Sequence, residues 1–282
     1  MFNGTLTIKP EVNELQYTRQ KRLFNDFVIQ KPFLKWAGGK TQMINDLMKF
    51  TPKNFNKYIE PFIGGGALFF SLNHRNSIIS DSNEELILTY KQVKVNVYEV
   101  ISILEKYINT EEFYYKIRAL NLNMLSNSER AARFIYLNKT CFNGLYRVNK
   151  KGEFNVPYCK KQGTFLNKEN LLSASEYMQN TEIFHSDYKQ ILLDYAEKGD
   201  FIFLDPPYQP IGKYADFKRY TKELFYENDH IDLANIFKDL INKGCFVMLT
   251  NSDHPTILEL YKDYHIEKVA TKNHIFFSFS LN

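Results

Sequence analysis

The sequence predicts an α/β protein: a mostly parallel, Rossmann-like sheet interrupted by a mainly helical insert. Three observations carry that expectation. Between Lys57 and Asp81 the chain runs through an apolar strand, a glycine-rich turn, a short helix and a second strand ending in an acid, the order of a βαβ unit. The run Phe201-Ile202-Phe203-Leu204 is wholly apolar, as a central strand covered on both faces must be. Between these stretches, from about residue 84 to 174, strand alternation gives way to helical patterning and then to Gly, Asn and Pro punctuation.

Residues 1–30 read as an irregular leader, and Pro32 opens the main body. Thr41 to Phe50 has a helical pattern that stops before Pro52. Lys57 to Glu60 reads as a strand, Pro61 to Gly66 as the turn after it, and Ala67 to Leu72 as a helix. Ser77 to Ser80 forms the next strand, and a helical stretch begins near Glu84 and lasts to about 138. A hairpin is expected around Lys151-Gly152. The sheet resumes at Thr181 to Phe184 and Asp200 to Leu204. A helix from about Asp229 to Ile241 then leads to a strand over Cys245 to Leu249. The implied division is 31–90 with 175–282 as one domain and 91–174 as an insert.

Composition narrows the function class. The 282 residues carry 36 Lys and Arg against 32 Asp and Glu, a net charge of +4, and 24 Phe with 19 Tyr supply ample packing surface for a globular body. No apolar run is long enough to span a membrane and no secretory leader is visible, so a cytoplasmic protein is expected. Cys141, Cys159 and Cys245 are too scattered for a zinc cluster, so no metal is expected. Charge distribution says more than its sum. Lys139 to Lys168 holds seven basic residues, one acid and five aromatics, either a surface for phosphates and bases or a solvated loop anchored by its rings.

Two groups of residues suggest chemistry. Gly64, Gly65 and Gly66 permit close backbone approach to a ligand, and Asp81, 21 residues after Glu60, ends the neighbouring strand where a carboxylate can receive ribose hydroxyls. The alternatives are a plain tight turn and a helix-capping acid. Gly39-Lys40-Thr41 ends like a phosphate-binding P-loop but lacks its strand and spaced glycines. Asp205-Pro206-Pro207-Tyr208 follows the apolar strand directly. Asp205 and the Pro206 carbonyl can accept the two hydrogens of an exocyclic amine, and Tyr208 can stack on its ring. The alternative is a solvent-exposed proline turn.

Phe33-Leu34-Lys35-Trp36-Ala37-Gly38-Gly39-Lys40, Glu60-Pro61-Phe62-Ile63-Gly64-Gly65-Gly66 and Asp205-Pro206-Pro207-Tyr208, in that order, resemble the three signatures of the Dam-like, D12-class (alpha group) adenine-N6 DNA methyltransferases. In closer detail the chain is similar to GATC-specific restriction-modification methylases over roughly residues 31 to 265. The resemblance implies a Rossmann-like methyltransferase sheet, S-adenosylmethionine as cofactor and double-stranded DNA as partner, with a flipped adenine as acceptor. It implies that Trp36, Ala37 and Lys40 line the methionine side of the cofactor and that Glu60, Phe62 and Gly64 shape its central pocket. Asp81 would hold the ribose, and Asp187 would meet the cofactor's adenine. Asp205, Pro206, Pro207 and Tyr208 would be catalytic. In the insert, then a target-recognition region, Arg147 would read a guanine and Lys35 the outer guanine. Leu145 and Pro157 would contact the thymine, and Phe142 and Asn143 would support the space left by the flipped base. Functional pairing with a cognate restriction endonuclease is also implied.

The family pattern breaks after Asn273. Its Gly- and Arg-bearing loop is missing, and His274-Ile275-Phe276-Phe277-Ser278-Phe279 reads as an altered tail, either a hydrophobic terminal strand or one that leaves a sheet edge incomplete and prone to aggregation. Two other readings therefore stand beside the enzyme: an inactive DNA-binding remnant, and a methyltransferase for another planar amine such as protein glutamine.

Overall fold

Strands with two apolar faces set the architecture. The computed structural model describes residues 30–149, 151–160, 163–209, 225–269 and 274–279. The expected leader, Lys150 and Lys161 of the basic segment, and the residues after Phe279 lie outside them. Five parallel strands, β1 (Tyr58–Glu60), β2 (Ser77–Asp81), β3 (Thr181–His185), β4 (Phe201–Leu204) and β5 (Phe246–Ser252), stand in the order β3-β2-β1-β4-β5. Side chains alternate between two cores. Tyr58, Ile79, Phe201, Phe203 and Met248 enter one, and Ile59, Ile78, Ile202, Leu204, Val247 and Leu249 enter the other. That period-two pattern, apolar on both sides, is what helices on both faces require.

The first core takes α1 (Ile44–Phe50), α2 (Ala67–Leu72) and the helices between β2 and β3. These are α3 (Glu84–Val95), α4 (Val97–Leu104), α5 (Glu111–Arg118), α6 (Asn127–Thr140) and α7 (Lys168–Tyr177). The expected boundaries at residues 90 and 175 fall inside α3 and α7, and both helices share this core with the sheet. At its centre α6 is buried nearly all round, with Ala131, Ala132, Phe134, Ile135, Tyr136 and Leu137 inside and a Ser126–Glu129 capping box at its start. Its buried Arg133 donates to the carbonyls of Ile117 (3.0 Å) and Arg118 (2.7 Å), the negative end of α5. The second core takes α8 (Tyr188–Tyr195), α9 (Glu227–Lys243) and α10 (Pro255–Leu260).

The structure corrects one expectation and decides between two alternatives. The helix expected from Thr41 begins at Ile44, because a 3-10 turn over Lys40–Gln42 precedes it. The sheet is also not left incomplete by the Phe-rich segment. β7 (His274–Phe279) lies between β5 and β6 (His265–Val269), antiparallel to both, with Val247 opposite Phe279 and Ile266 opposite Phe277. The physical reason is composition: an aromatic, β-branched run suits an inner strand, where both rows of backbone groups are paired.

Candidate active site

Parallel order puts the carboxyl ends of β2, β1, β4 and β5 side by side, and the expected site residues gather there. The turn after β1 closes through backbone bonds from Gly66 N–H to the Ile63 carbonyl (2.7 Å) and from Ile63 N–H to the Ser80 carbonyl (3.0 Å). Gly64 and Gly66 have φ of +45° and +68°. A Cβ on Gly64 would stand 2.6 Å from Trp36 Cδ1, and one on Gly66 would stand 2.9 Å from the Tyr90 hydroxyl. The glycines are therefore required by left-handed backbone and by close neighbours together.

Asp81 braces this turn. Its carboxylate accepts the N–H of Gly64 (3.2 Å) and of Asn83 (3.0 Å), while Tyr90 Oη donates to the Gly64 carbonyl (3.1 Å). The cap of α3 is Asn83, which accepts from Leu86 N–H, so capping is not the role of Asp81. Burial pushes the Asp81 carboxyl up to about 6, against the pull of those two N–H groups. Glu60 is buried and accepts the Tyr58 hydroxyl at 2.7 Å; burial raises its pKa well above the usual range, and the Asp205 charge adds to the shift. Half-buried Phe62 lies tilted by 33° against Tyr188 with centroids 5.0 Å apart and meets Phe225 edge-on at 6.2 Å. Asp187 is exposed and caps α8 through Lys189 N–H (2.8 Å), one strand over from Asp81. Ala37 is half-buried at the head of the Gly38-Gly39 turn that leads to Lys40.

Asp205 leaves the end of β4 and meets a cation. Lys40 Nζ lies 2.6 Å from each carboxylate oxygen and also donates to the Gly38 carbonyl at 2.6 Å. Burial, the largest single influence, would push this lysine down, but the Asp205 carboxylate and Tyr208 together outweigh it and hold the ammonium above its ordinary value. The same ammonium lies 4.8 Å over the Tyr208 ring. Burial, then the Asp205 charge, pushes the Tyr208 phenol up to about 12 while Lys40 and Thr250 oppose it. Three consecutive buried polar residues of β5 fasten the Asp205–Gln209 segment. Thr250 Oγ1 donates to Asp205 Oδ1 (2.5 Å), Gln209 N–H to Asn251 Oδ1 (3.3 Å), and Ser252 Oγ to the Gln209 carbonyl (2.6 Å). Asp205 is thus a partly buried, ion-paired carboxylate, not an exposed turn residue.

Two contacts hold parts of the insert in place, Lys35 against Gly144 and Phe142 against Pro157. Asn138 of α6 accepts Lys35 N–H (2.8 Å) and donates from Nδ2 to the carbonyls of Lys35 (2.7 Å) and Gly144 (3.4 Å). The stem of Lys35 then crosses Gly144 so closely that a Cβ there would lie 2.5 Å from Lys35 Cβ. Phe142 N–H donates to the Pro157 carbonyl (2.9 Å) and leaves its ring half exposed. Lys35, Phe142, Asn143, Arg147 and Pro157 are exposed and Leu145 is half-buried. Arg147 lies on the expected hairpin, where Val148 pairs with Phe154 and Arg147 Nε donates to Asn155 Oδ1 (2.8 Å). Trp36, Phe134 and Tyr146 stack at centroid distances of 5.2 to 6.5 Å, joining the insert to the glycine turn.

Sequence reasoning missed Thr250, Asn138 and the contact of Lys40 with Asp205. The available signals were slight: a hydroxyl at the end of an apolar strand, and one amide inside an apolar helix.

Residues 36–275 match the model of the D12 class N6 adenine-specific DNA methyltransferases. Over 248 residues the chain is 42% identical to the type II methyltransferase M1.LlaDCHI of Lactococcus lactis, covering 85% of this chain and 87% of that one. It is likewise 42% identical over 268 residues to the type II methyltransferase M.MjaIII of Methanocaldococcus jannaschii, covering 87% and 92%. Identity to the DNA adenine methylase of Salmonella typhi is 31% over 245 residues, covering 85% and 87%. With a family match across most of its length, and with the strand-end carboxylate, glycine turn and sheet order described above, the chain belongs to the D12 class of N6 adenine-specific DNA methyltransferases.

Proposed function

We propose that this protein moves a methyl group from S-adenosylmethionine to N6 of an adenine in double-stranded DNA, within the sequence GATC. The observation that carries the reading is Asp205 at the end of β4, its carboxylate held by Lys40 beside a glycine turn braced by Asp81. That turn fits the cofactor: any side chain on Gly64 would fill the space against Trp36, and a half-buried carboxylate stands at its edge. Asp81 would take the ribose hydroxyls, Glu60, Phe62 and Gly64 the centre of the cofactor, Asp187 its adenine, and Trp36, Ala37 and Lys40 its methionine end. Bound S-adenosylmethionine would supply a sulfonium methyl, the broken S–C bond leaving its electron pair on sulfur as N6 gains the carbon and releases a proton.

Asp205 and the Pro206 carbonyl would accept the amine hydrogens, aligning the nitrogen lone pair and stabilising its developing positive charge. Pro207 stiffens the turn, and Tyr208 would stack on the extruded base. The target-recognition insert would lie within residues 91–174, with 31–90 and 175–282 as the catalytic domain, although α3 and α7 run across both boundaries and pack in the core of the sheet. GATC preference rests on the residue match of Lys35, Leu145, Arg147 and Pro157, supported by the exposure of Lys35, Arg147 and Pro157 and by the bond from Phe142 N–H to the Pro157 carbonyl. Similarity to two type II methyltransferases supports cytoplasmic action beside a restriction endonuclease of the same specificity.

The test is labelled methyl transfer to paired duplexes, one with GATC and one with its adenine replaced, followed by digestion to nucleosides. N6-methyladenine is expected only from the intact site, and Asp205→Ala should abolish it while the protein stays folded. Transfer elsewhere would overturn GATC, transfer to protein would overturn the acceptor, and DNA binding without transfer would identify an inactive remnant.

A further inference from the structure

Asp205 ends in a carboxylate whose rotation about Cβ–Cγ is soft and nearly two-fold, so one partner on a long flexible stem does not define which oxygen faces the reacting amine. Lys40 is such a partner, equidistant at 2.6 Å from both oxygens. Thr250 is different. It is fully buried on β5, its χ1 is restricted by β-branching, and its neighbour Leu249 pairs with Leu204, the residue before Asp205. Its hydroxyl, a single O–H donor, lies 2.5 Å from Oδ1. A carboxylate offers about four lone-pair positions. Among the described residues, Lys40 and Thr250 engage Oδ1, whereas Oδ2 receives Lys40.

We infer that Thr250 is a positioning residue that locks Oδ1 of Asp205 and thereby presents Oδ2 as the acceptor of the amine hydrogen. Asn251 and Ser252 hold the other end of the same segment at Gln209, so β5 fixes both ends of the catalytic turn. This rests on the acceptor role proposed above for Asp205. It predicts that the loss of one buried hydroxyl slows chemistry while both ligands still bind, because Thr250 is fully buried behind Asp205 and acts only through it.

Thr250→Val keeps the shape and removes the donor. Single-turnover methylation of a GATC duplex should slow by about 10- to 100-fold, the scale of a misoriented reacting group. KM for DNA and the dissociation constant for S-adenosylhomocysteine should stay within about twofold. Thr250→Ser, which restores the O–H, should recover the rate to within about threefold. If Thr250→Val is insoluble, Thr250→Cys carries the same test with a weaker donor. A wild-type rate in either donor-impaired variant, or Ser as slow as Val, overturns the inference. Those results differ from failure of the functional reading, in which the wild type transfers nothing or Asp205→Ala transfers normally.

Discussion

The half-buried carboxyl of Asp81 gives both folding and the proposed cofactor contact a pH dependence. Its value near 6 stands above the ordinary 3.8, so it binds a proton more tightly folded than unfolded. It therefore favours folding most below about pH 4, and that contribution is lost as pH rises through 6. The ribose contact proposed for Asp81 asks for the opposite form, the ionised acceptor. Affinity for S-adenosylhomocysteine should be flat above pH 7 and fall by up to about tenfold per unit below pH 6. Calorimetric titration across pH 5 to 8 checks this, and Asp81→Asn should bind weakly with no such slope. Asp81 and Asp205 were legible in the sequence because an acid ending an apolar strand has few structural uses. Their partners were not: Lys40 stands 165 residues from Asp205 and Thr250 stands 45 away, and only the folded sheet brings them together.

Among the elements, the glycine turn makes the firmest stability prediction. Gly64→Ala would place a methyl 2.6 Å from Trp36 Cδ1 at a φ of +45°. It should cost more than about 1 kcal/mol and lower the melting temperature. Gly163, with nothing within 4 Å of a built Cβ, is the control, and its change to Ala should stay within about 0.5 kcal/mol. Equal melting temperatures for the two variants would show that Trp36 gives way. The βαβ unit was readable to within a residue because Gly66 and Asn83 punctuate it locally. The start of α1 was misread because the 3-10 turn over Lys40–Gln42 is shaped by where Lys40 points, a tertiary demand that helical periodicity does not contain.

At the scale of the molecule, completeness of the sheet depends on β7. Phe277→Pro should remove a ladder hydrogen bond worth on the order of 1 kcal/mol and clash with an inner strand's pairing. Reduced soluble yield, measured against wild type by sedimentation of the lysate, is the expected outcome; unchanged yield would mean that β5 and β6 tolerate separation. The central parallel strands were legible because they are apolar on both faces, whereas the place of β7 was not, since pairing partners leave no local mark. The grip of Asn138 on the backbone of Lys35, 103 residues away, has a practical consequence for anyone exchanging specificity between relatives. A transplanted insert brings its own amide but meets the host's Lys35 segment, and that segment runs on directly to the lysine on Asp205. The transferable cassette is therefore discontinuous, and chimeras joined only at the ends of the insert should lose turnover along with the old preference unless residues 33–40 travel with it.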